Sequence, residues 1–287
     1  MKKKLAFLLA CCLMVFSLAA CSSSSESEDE EEETEAEEAE EEEEETEAEE
    51  SEDSDLEYIL EKGTLVVGIT DYEPMDYKDE DGNWIGFDAD LATLFAEYLG
   101  VEVEFVEIEW DNKILEIDAK SIDCVWNGMT LTDEVTSAMS CSNAYLTNAQ
   151  IVVLPEDIAE DYTDVDSLSE LAFAVETGSS GEAVAEDNGF TYTAVSSQAN
   201  ALLEVASGTA DAAIIDSLMA AAMIGEGTSY EDLTYTISLS DEEYGVGFRT
   251  GSDLVDELNT FLSDLYEDGT LSELAETYGV SAALIEQ

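Results

Sequence analysis

The sequence predicts an α/β fold with two lobes, each a mainly parallel sheet flanked by helices, and a ligand cleft between the lobes. Three observations lead to this prediction. Short β-branched runs alternate with segments of helical apolar spacing along the chain. This alternation, which is typical of parallel sheets covered on both faces, starts again after Pro155. Each series spans roughly 90 to 140 residues, the size of a single hydrophobic core.

The first 55 residues are predicted to lie outside this fold. Residues 1–20 contain three lysines, an apolar run and small residues, which is typical of an export signal peptide. Leu18-Ala19-Ala20-Cys21 resembles the lipobox of bacterial lipoproteins, so Cys21 is the expected lipidation site. The alternative is an ordinary secretory signal that happens to contain this cysteine. Residues 21–55 read as a disordered acidic tether, since residues 22–55 hold 22 acidic residues and no Leu, Ile, Val or aromatic residue.

The charge of the chain excludes several classes of partner and chemistry. It has 72 acidic residues, 8 basic residues and no histidine. Such a chain repels nucleic acids and anionic membrane surfaces. Without histidine, a Ser-His or Cys-His nucleophile pair cannot form, and zinc lacks its commonest nitrogen ligand. The sequence therefore predicts a protein that is not an enzyme, with no catalytic residue, metal or cofactor.

The first series of elements runs to residue 154. In order, the predicted elements are a strand at 63–70, a turn at 79–84, a helix that Asp88 caps and Gly100 ends, a strand at 101–108, a short helix at 111–119, a strand at 122–128, a helix from Thr132 and a strand at 149–154.

The second series follows Pro155, and a third segment resembles neither. The second series consists of a short helix around Leu168, a strand at 173–178, a helix from Ser180, a strand at 191–196, a helix at 198–208, a strand at 211–217 and a helix to Ile224. The remaining segment contains a strand at 244–249 and helices from about 253 and 271, and is expected to pack against the first series.

Ligands of such sheets bind at the carboxyl ends of strands. The strand ends in question are 70–72, 127–130, 177–180 and Asp216. Asp216 either accepts hydrogen bonds from a ligand ammonium group or caps the next helix. Tyr72 and Trp110 either form flat apolar walls of a cleft or belong to the core.

Two polar turns at these strand ends offer a similar choice. Gly-Ser-Ser-Gly at 178–181, with Ser179 and Ser180, either receives an anionic group such as a carboxylate or forms an ordinary helix cap. Thr130 and Thr132 either cap a helix or direct a hydroxyl to the ligand. Asn127 and Gly128 precede them in the same turn.

Cys124 and Cys141 belong to the predicted exported part of the chain. Outside the cytoplasm the two either form a disulfide or stay buried as small apolar side chains. Their spacing in the sequence does not decide between these alternatives.

Several motifs together resemble the bacterial extracellular solute-binding proteins, family 3, of the amino-acid-binding type. They are LVVGITDYEPMDYKDEDGNWIGFDADLATLFAEYLG, IDCVWNGMTLT, ETGSSGE, GTADAAIIDS, YGVGFRTGS and EDGTLSELAETYG, in the family's order. The resemblance implies a two-lobed periplasmic-binding-protein-like fold of type II. It places lobe 1 at 56–149 plus 240–287 and lobe 2 at 150–239, with the ligand closing the lobes together.

The resemblance also implies roles for the residues at the strand ends. Tyr72 covers the ligand, Gly128 and Thr130 contact its amino group, Ser179 and Ser180 receive its α-carboxylate, and Asp216 binds its α-ammonium. Trp110 and Asn127 complete the expected site.

The sequence departs from the family at Val135, where the family pattern has an arginine that clamps the α-carboxylate. Three accounts of the ligand follow: an amino acid held by Asp216 and hydroxyls, a solute without a free carboxylate, or the ligand of a sensor that does not transport. We expect an amino-acid-like or amine-bearing polar solute.

The resemblance implies a lipoprotein on the outer face of the cytoplasmic membrane. Its expected partners are the solute and the permease and ATPase subunits of an ABC importer, and the membrane is contacted only through the lipid anchor. We expect a monomer. The alternatives are a sensing receptor without transport and a dehydratase-like enzyme on the same fold.

Overall fold

The computed structural model describes residues 54–287. The predicted signal peptide, the lipidation site Cys21 and the predicted tether up to residue 53 lie outside the described residues. Within residues 54–287, no helix combines the length and the apolar character needed to cross a membrane.

The described residues form an alternating series of strands and helices. The strands are β1 (Thr64–Ile69), β2 (Tyr77–Lys78), β3 (Trp84–Ile85), β4 (Glu102–Glu107), β5 (Cys124–Thr130), β6 (Ser140–Cys141), β7 (Leu146–Pro155), β8 (Ala172–Glu176), β9 (Thr191–Val195), β10 (Ala212–Asp216) and β11 (Leu233–Phe248). The α-helices are α1 (Asp55–Lys62), α2 (Phe87–Leu99), α3 (Lys113–Asp118), α4 (Asp133–Ala138), α5 (Ser180–Asn188), α6 (Gln198–Ala206), α7 (Ser217–Met223), α8 (Leu254–Asp268) and α9 (Thr270–Thr277). Short 3-10 turns cover Trp110–Asn112, Ala159–Asp161, Val165–Leu168 and Ser281–Ala283.

The sheet joins both predicted series of strands. Its order is β4-β1-β5-β11-β7-β10-β8-β9, with β6 also paired to β11. The outer pairs β1–β4, β1–β5, β10–β8 and β8–β9 are parallel, whereas β7 and β11 are antiparallel to each other and to their neighbours β10 and β5. The predicted α/β fold is therefore confirmed, and β7 and β11 connect a first half (β4, β1, β5) to a second half (β10, β8, β9).

Strand β11 is much longer than the predicted strand at 244–249. It has 16 residues and pairs with β7 from Leu233 to Tyr244 and with β5 from Tyr244 to Phe248. The acidic run Asp241 to Glu243 interrupts the apolar pattern in its middle, which is why periodicity indicated only its last residues.

Inner strands such as β5 and β10 are buried on both faces, as the sequence predicts. In β5, Cys124 and Trp126 belong to the largest apolar cluster, whereas Val125 and Met129 belong to another cluster on the opposite face. Successive side chains of a strand point to opposite faces, so this division requires apolar cover on each side. The sheet is thus held by packing on both faces, and its strand ends are fixed in position.

Asp88 does not cap α2, contrary to the sequence prediction. The cap position is Gly86, where a Cβ atom would lie 2.0 Å from the carbonyl oxygen of Met75. The Asp88 carboxylate instead accepts hydrogen bonds from the backbone N–H of Gly128 (2.6 Å) and from the Tyr145 hydroxyl. Burial raises the pKa of Asp88 to about 7, although these hydrogen bonds oppose the rise.

The first helix of the described residues starts at Ser54 and Asp55, the last two residues of the predicted tether. The Ser54 hydroxyl caps α1 by accepting from the Glu57 N–H at 3.0 Å. Asp55 is buried and pairs with Arg249, whose Nε donates to its Oδ1 at 2.9 Å. Arg249 Nη1 also donates to the carbonyl oxygen of Ile122, so this ion pair fixes α1 to the first half of the sheet.

Candidate ligand-binding site

A cavity of about 230 Å³ lies at the carboxyl ends of β1, β5, β8 and β10. Its wall therefore comes from both halves of the sheet. The eight residues singled out in the sequence all line it: Tyr72, Trp110, Asn127, Gly128, Thr130, Ser179, Ser180 and Asp216. The residues that the sequence places at carboxyl strand ends thus lie around one cavity, where ligands of such sheets are expected to bind.

Asp216 is held by three side-chain amides. Its carboxylate accepts from Asn148 Nδ2 at 2.5 Å, from Gln150 Nε2 at 2.6 Å and from Gln198 Nε2. The antiparallel register pairs Asp216 with Gln150, and Asn148 lies two residues away on the same face of β7. Although Asp216 precedes α7, its side chain makes no cap hydrogen bond, so the alternative of a simple cap does not apply.

The Asp216 carboxylate is less acidic than an ordinary aspartate. Burial is the main cause and the nearby Glu242 carboxylate adds to it, so that the pKa rises to about 7. Hydrogen bonds from Gln198 and Asn148 act in the opposite direction. Within residues 54–287 no lysine or arginine forms an ion pair with Asp216. A cation in the cavity would therefore meet an uncompensated carboxylate.

Glu242, in the middle of β11, joins the two halves behind the cavity wall. Its Oε2 accepts from the Thr130 hydroxyl at 2.9 Å and from Gln150 Nε2 at 3.0 Å. Its Oε1 accepts from the Ser180 hydroxyl. Sequence reasoning missed Glu242 because the predicted strand began at residue 244. The alternating Leu233, Tyr235, Ile237 and Leu239 could have revealed the longer strand.

Glu176 is a second carboxylate of the wall that sequence reasoning missed. It ends β8, has only 5 % of its surface exposed, and its Oε1 is buried without a hydrogen-bond partner. Burial, and then the charge of Asp216, raise the pKa of Glu176 to about 8, while Lys113 opposes the rise. The run FAVETG could have revealed it, because Glu176 ends an apolar strand in the same way as Asp216 does.

Lys113 is the basic residue of the described cavity wall. Its Nζ donates to the carbonyl oxygens of Gly178 (2.9 Å) and Trp110 (3.3 Å), and lies 4.9 Å from the centre of the Trp110 ring. Burial lowers the pKa of Lys113, and the charges of Glu134, Glu176 and Asp111 oppose this change. Because Trp110 and Gly178 belong to different halves, Lys113 connects them across the cavity.

The hydroxyls of the two polar turns, all of which line the cavity, divide between helix capping and binding of Glu242. Ser179 caps α5 by accepting from the Glu182 N–H, and Thr132 caps α4 by accepting from the Val135 N–H, both at 3.2 Å. The hydroxyls of Thr130 and Ser180 make no cap and bind Glu242 instead.

Three further site residues support one another at the ends of β1 and β5. Asn127 Nδ2 donates to the Thr70 hydroxyl at 2.7 Å, and its Oδ1 accepts from the Thr70 N–H at 2.8 Å. Gly128 has φ +56°, and a Cβ atom there would lie 2.5 Å from the Tyr72 ring. The hydroxyl oxygens of Tyr72 and Tyr244 are hydrogen-bonded at 2.6 Å. Tyr72 is thereby fixed against the cavity.

Val135, where the resemblance implies an arginine, is a buried residue of α4 that lines the cavity. Arg249 does not line this cavity, because it is paired with Asp55 at the start of α1.

Cys124 and Cys141 are free thiols. They pair with β11 from opposite sides, Cys124 through Phe248 and Cys141 through Gly247. Their strands are therefore two strand spacings apart, or about 9.6 Å at about 4.8 Å per spacing. This separation exceeds the Cα–Cα distance of about 7 Å that a disulfide tolerates. The disulfide alternative is therefore wrong for this structure, and both residues serve as small apolar side chains.

The fold and the cavity together define a two-lobed binding protein of the periplasmic type. Residues 65–281 match the family model of bacterial extracellular solute-binding proteins, family 3, and the chain belongs to this family.

Similar proteins are found among relatives and solved structures. The chain is 27 % identical over 227 residues to the L-cystine-binding protein TcyJ of Escherichia coli strain K12, covering 78 % of this chain and 85 % of the relative. It is 29 % identical over 229 residues to the arginine-binding extracellular protein ArtP of Bacillus subtilis strain 168, covering 76 % and 86 %. The crystal structure of the ancestral amino acid-binding protein AncCDT-1, a precursor of cyclohexadienyl dehydratase, is 33 % identical with a TM-score of 0.72, covering 78 % and 99 %.

Proposed function

We propose that the protein captures an amino acid or a related small amine-bearing solute outside the cell and delivers it to an ABC importer. The observation that carries this proposal is Asp216. Three amides orient its carboxylate at the cavity, and no cation among the described residues pairs with it. An ammonium group is the ligand chemistry that completes such a site.

The similar proteins support this proposal. TcyJ and ArtP are described as binding cystine and arginine, and both ligands carry an α-ammonium group. The proposed contacts are those of the sequence prediction: Tyr72 and Trp110 cover the solute, Asn127, Gly128 and Thr130 face its polar end, and Ser179 and Ser180 approach it from α5.

The remaining parts of the proposal concern the chain as a whole. A lipid on Cys21 anchors the protein to the outer face of the cytoplasmic membrane, after removal of residues 1–20, and the acidic segment to residue 55 acts as a spacer. Lobe 1 consists of 56–149 plus 240–287 and lobe 2 of 150–239, closing on the solute as a monomer. The partners are permease and ATPase subunits. A sensing receptor with the same site would bind the solute without an importer.

The test begins with the solute that the protein retains. Native mass spectrometry of protein purified from its own cells is expected to show an adduct that denaturation releases, and a thermal-shift panel of amino acids and amines identifies it. A bound solute raises the Tm with the logarithm of its concentration over its Kd. If no amine-bearing solute raises the Tm, this function is wrong.

A dehydratase-like enzyme is the second candidate. AncCDT-1 is described as a precursor of such an enzyme, and Glu176 is a buried acid of raised pKa in the wall. An acid that holds its proton near neutral pH can act as a general acid. Recovery of the stabilising solute unchanged after prolonged incubation with the protein would argue against this candidate.

A further inference from the structure

The charged groups of the described cavity wall favour a positive ligand. The wall has five carboxylates against one basic side chain, Lys113. The carboxylates are Asp71, Asp133, Glu134, Glu176 and Asp216. Like charges at short range repel, so an anionic group entering this cavity meets a negative potential.

Two hydroxyls of the cavity wall already donate to the protein's own carboxylate. Thr130 Oγ1 donates to Glu242 Oε2 and Ser180 Oγ donates to Glu242 Oε1. A hydroxyl has a single proton to donate, so neither can serve a ligand carboxylate while Glu242 holds both. A ligand anion would thus have to compete with the Glu242 carboxylate for the hydroxyl protons of Thr130 and Ser180.

Lys113 offers little compensation. Two of the three protons of its ammonium group point to the carbonyl oxygens of Trp110 and Gly178, and its charge is shared among neighbouring acids. At the start of α5, the Gly178 N–H donates to the Glu182 carboxylate at 2.7 Å. Val135 adds no donor. The donors that the described wall leaves for a ligand carboxylate are therefore mostly neutral, among them the hydroxyls of Thr70, Thr132 and Ser179.

Glu176 provides the opposite chemistry. It is more than nine-tenths buried and lines the cavity, and its Oε1 has no hydrogen-bond partner. A buried carboxylate oxygen without a partner costs free energy until a donor reaches it. Together with Asp216, it gives the wall two carboxylates that a ligand can satisfy with two positive groups.

We propose that the cavity takes a small organic cation without a free carboxylate, such as a diamine or an amino-guanidine, whose positive groups face Asp216 and Glu176. This inference rests on the proposed solute-binding function and specifies its ligand. It assigns Glu176 as a ligand-binding residue and Glu242 as the group that excludes a ligand carboxylate.

Matched pairs of ligands test the inference. Arginine and agmatine differ only in the α-carboxylate, as do ornithine and putrescine. Isothermal titration calorimetry of the full-length mature protein is expected to show that agmatine or putrescine binds roughly tenfold or more tightly than its amino acid, the size of one charged hydrogen bond. Tighter binding of the amino acids would overturn this inference and leave the proposed function intact. Binding of neither kind of solute would overturn both.

Variants of the two glutamates separate their roles. Glu176→Gln is expected to weaken agmatine binding about tenfold or more, because the variant cannot ionise to meet a positive group. The Tm without ligand should stay the same or rise, because the buried carboxyl, whose ionisation burial disfavours, is replaced by a neutral amide of similar size. Glu242→Gln is expected to reduce the ratio of the affinities for agmatine and arginine. Glu243→Gln, on the neighbouring exposed position of β11, is the matched control and should change neither affinity. Unchanged agmatine affinity in Glu176→Gln would refute the assignment of Glu176.

Discussion

Two carboxyl groups make ligand binding in the cavity depend on pH. Asp216 and Glu176 have pKa values raised to about 7 and about 8, mainly by burial. Each therefore resists ionisation at neutral pH until a cation approaches. Binding of a positive solute consequently favours proton release, and the affinity for such a solute should increase as the pH rises from 6 to 8.

The same raised pKa values predict how the stability of the ligand-free protein depends on pH. Between its ordinary value of 3.8 and about 7, Asp216 holds more protons in the folded than in the unfolded state, and Glu176 behaves likewise up to about 8. The free energy of unfolding therefore falls as the pH rises through this window. We expect a lower Tm at pH 8 than at pH 5.5. Asp216→Asn should show a smaller decrease, and a Tm that rises over this range would contradict the pKa assignments.

Replacement of Asp216 tests the ammonium site directly. Asp216→Asn removes the charge but keeps the size, and is expected to weaken binding of an amine-bearing solute about 10- to 150-fold, the range of a charged hydrogen bond. Titration calorimetry measures the loss, with Glu243→Gln as the control. Affinity equal to that of the original protein would refute the assignment.

Gly128 predicts a cost in stability. Its φ is +56°, and a Cβ atom added there would lie 2.5 Å from the Tyr72 ring, so both the backbone and the surroundings oppose a side chain. Gly128→Ala should lower the free energy of unfolding by about 2 kcal/mol or more. Gly63→Ala is the matched control, because Gly63 has a positive φ and open space around it. Denaturant unfolding of both variants separates the clash from the backbone strain, and an equal loss in the two would exclude the clash.

The residues of the site were predictable to different degrees. Tyr72, Asn127 and Asp216 stand at strand ends, and strand ends can be found from short-range patterns. The alternation along β11 could have indicated the strand of Glu242, but not that its pairing with β5 and β7 places this side chain behind the cavity. Lys113 lies in the wall through contacts with Trp110 and Gly178, and Gly178 is distant in the sequence. Ser179 lies in the wall, but the choice between cap and ligand contact depends on distances that only a structure provides.

Among the helices and strands, the buried ones could be predicted from the sequence more completely than the exposed ones. Strands such as β5 and β10 are buried on both faces, and each begins with a short apolar run in the sequence. Helix α1 was missed because it is short and follows the acidic run directly, and its position depends on the distant Arg249. Strand β11 was truncated for a related reason, because its partly exposed middle is acidic.

A double-mutant cycle can measure the ion pair between Asp55 and Arg249 that holds α1. Arg249→Met leaves buried Asp55 without its partner, and should cost about 3 to 5 kcal/mol in the free energy of unfolding. Adding Asp55→Asn should recover part of this loss, since the uncompensated charge is gone. Urea unfolding measures each corner of the cycle, and strictly additive effects would mean that the pair does not interact. Ligand affinity should stay unchanged, because neither residue lines the cavity.

The whole molecule carries a large excess of negative charge. Residues 56–287 contain 50 acidic and five basic residues, a formal net charge of −45. Repulsion of this size opposes compactness and is screened as the Debye length shortens, from about 10 Å at 0.1 M salt to about 3 Å at 1 M.

The stability of the molecule should therefore increase with salt. We expect the Tm at pH 7 to be higher in 0.5 M than in 0.05 M sodium chloride, measured without ligand. An uncharged osmolyte at equal osmolality serves as the control for effects other than screening. A Tm that does not change with sodium chloride would show that repulsion among surface carboxylates contributes nothing measurable.

The position of Trp110 gives the molecule an intrinsic optical reporter. Of the three tryptophans, Trp110 lines the cavity, whereas Trp126 is fully buried in the core and Trp84 lies near Lys78 on the β2–β3 hairpin. A solute that displaces water from the Trp110 ring, or moves the Lys113 ammonium above it, changes the surroundings of a single indole. Fluorescence emission should therefore shift in proportion to occupancy, and the rate of capture can be followed in real time without any added dye.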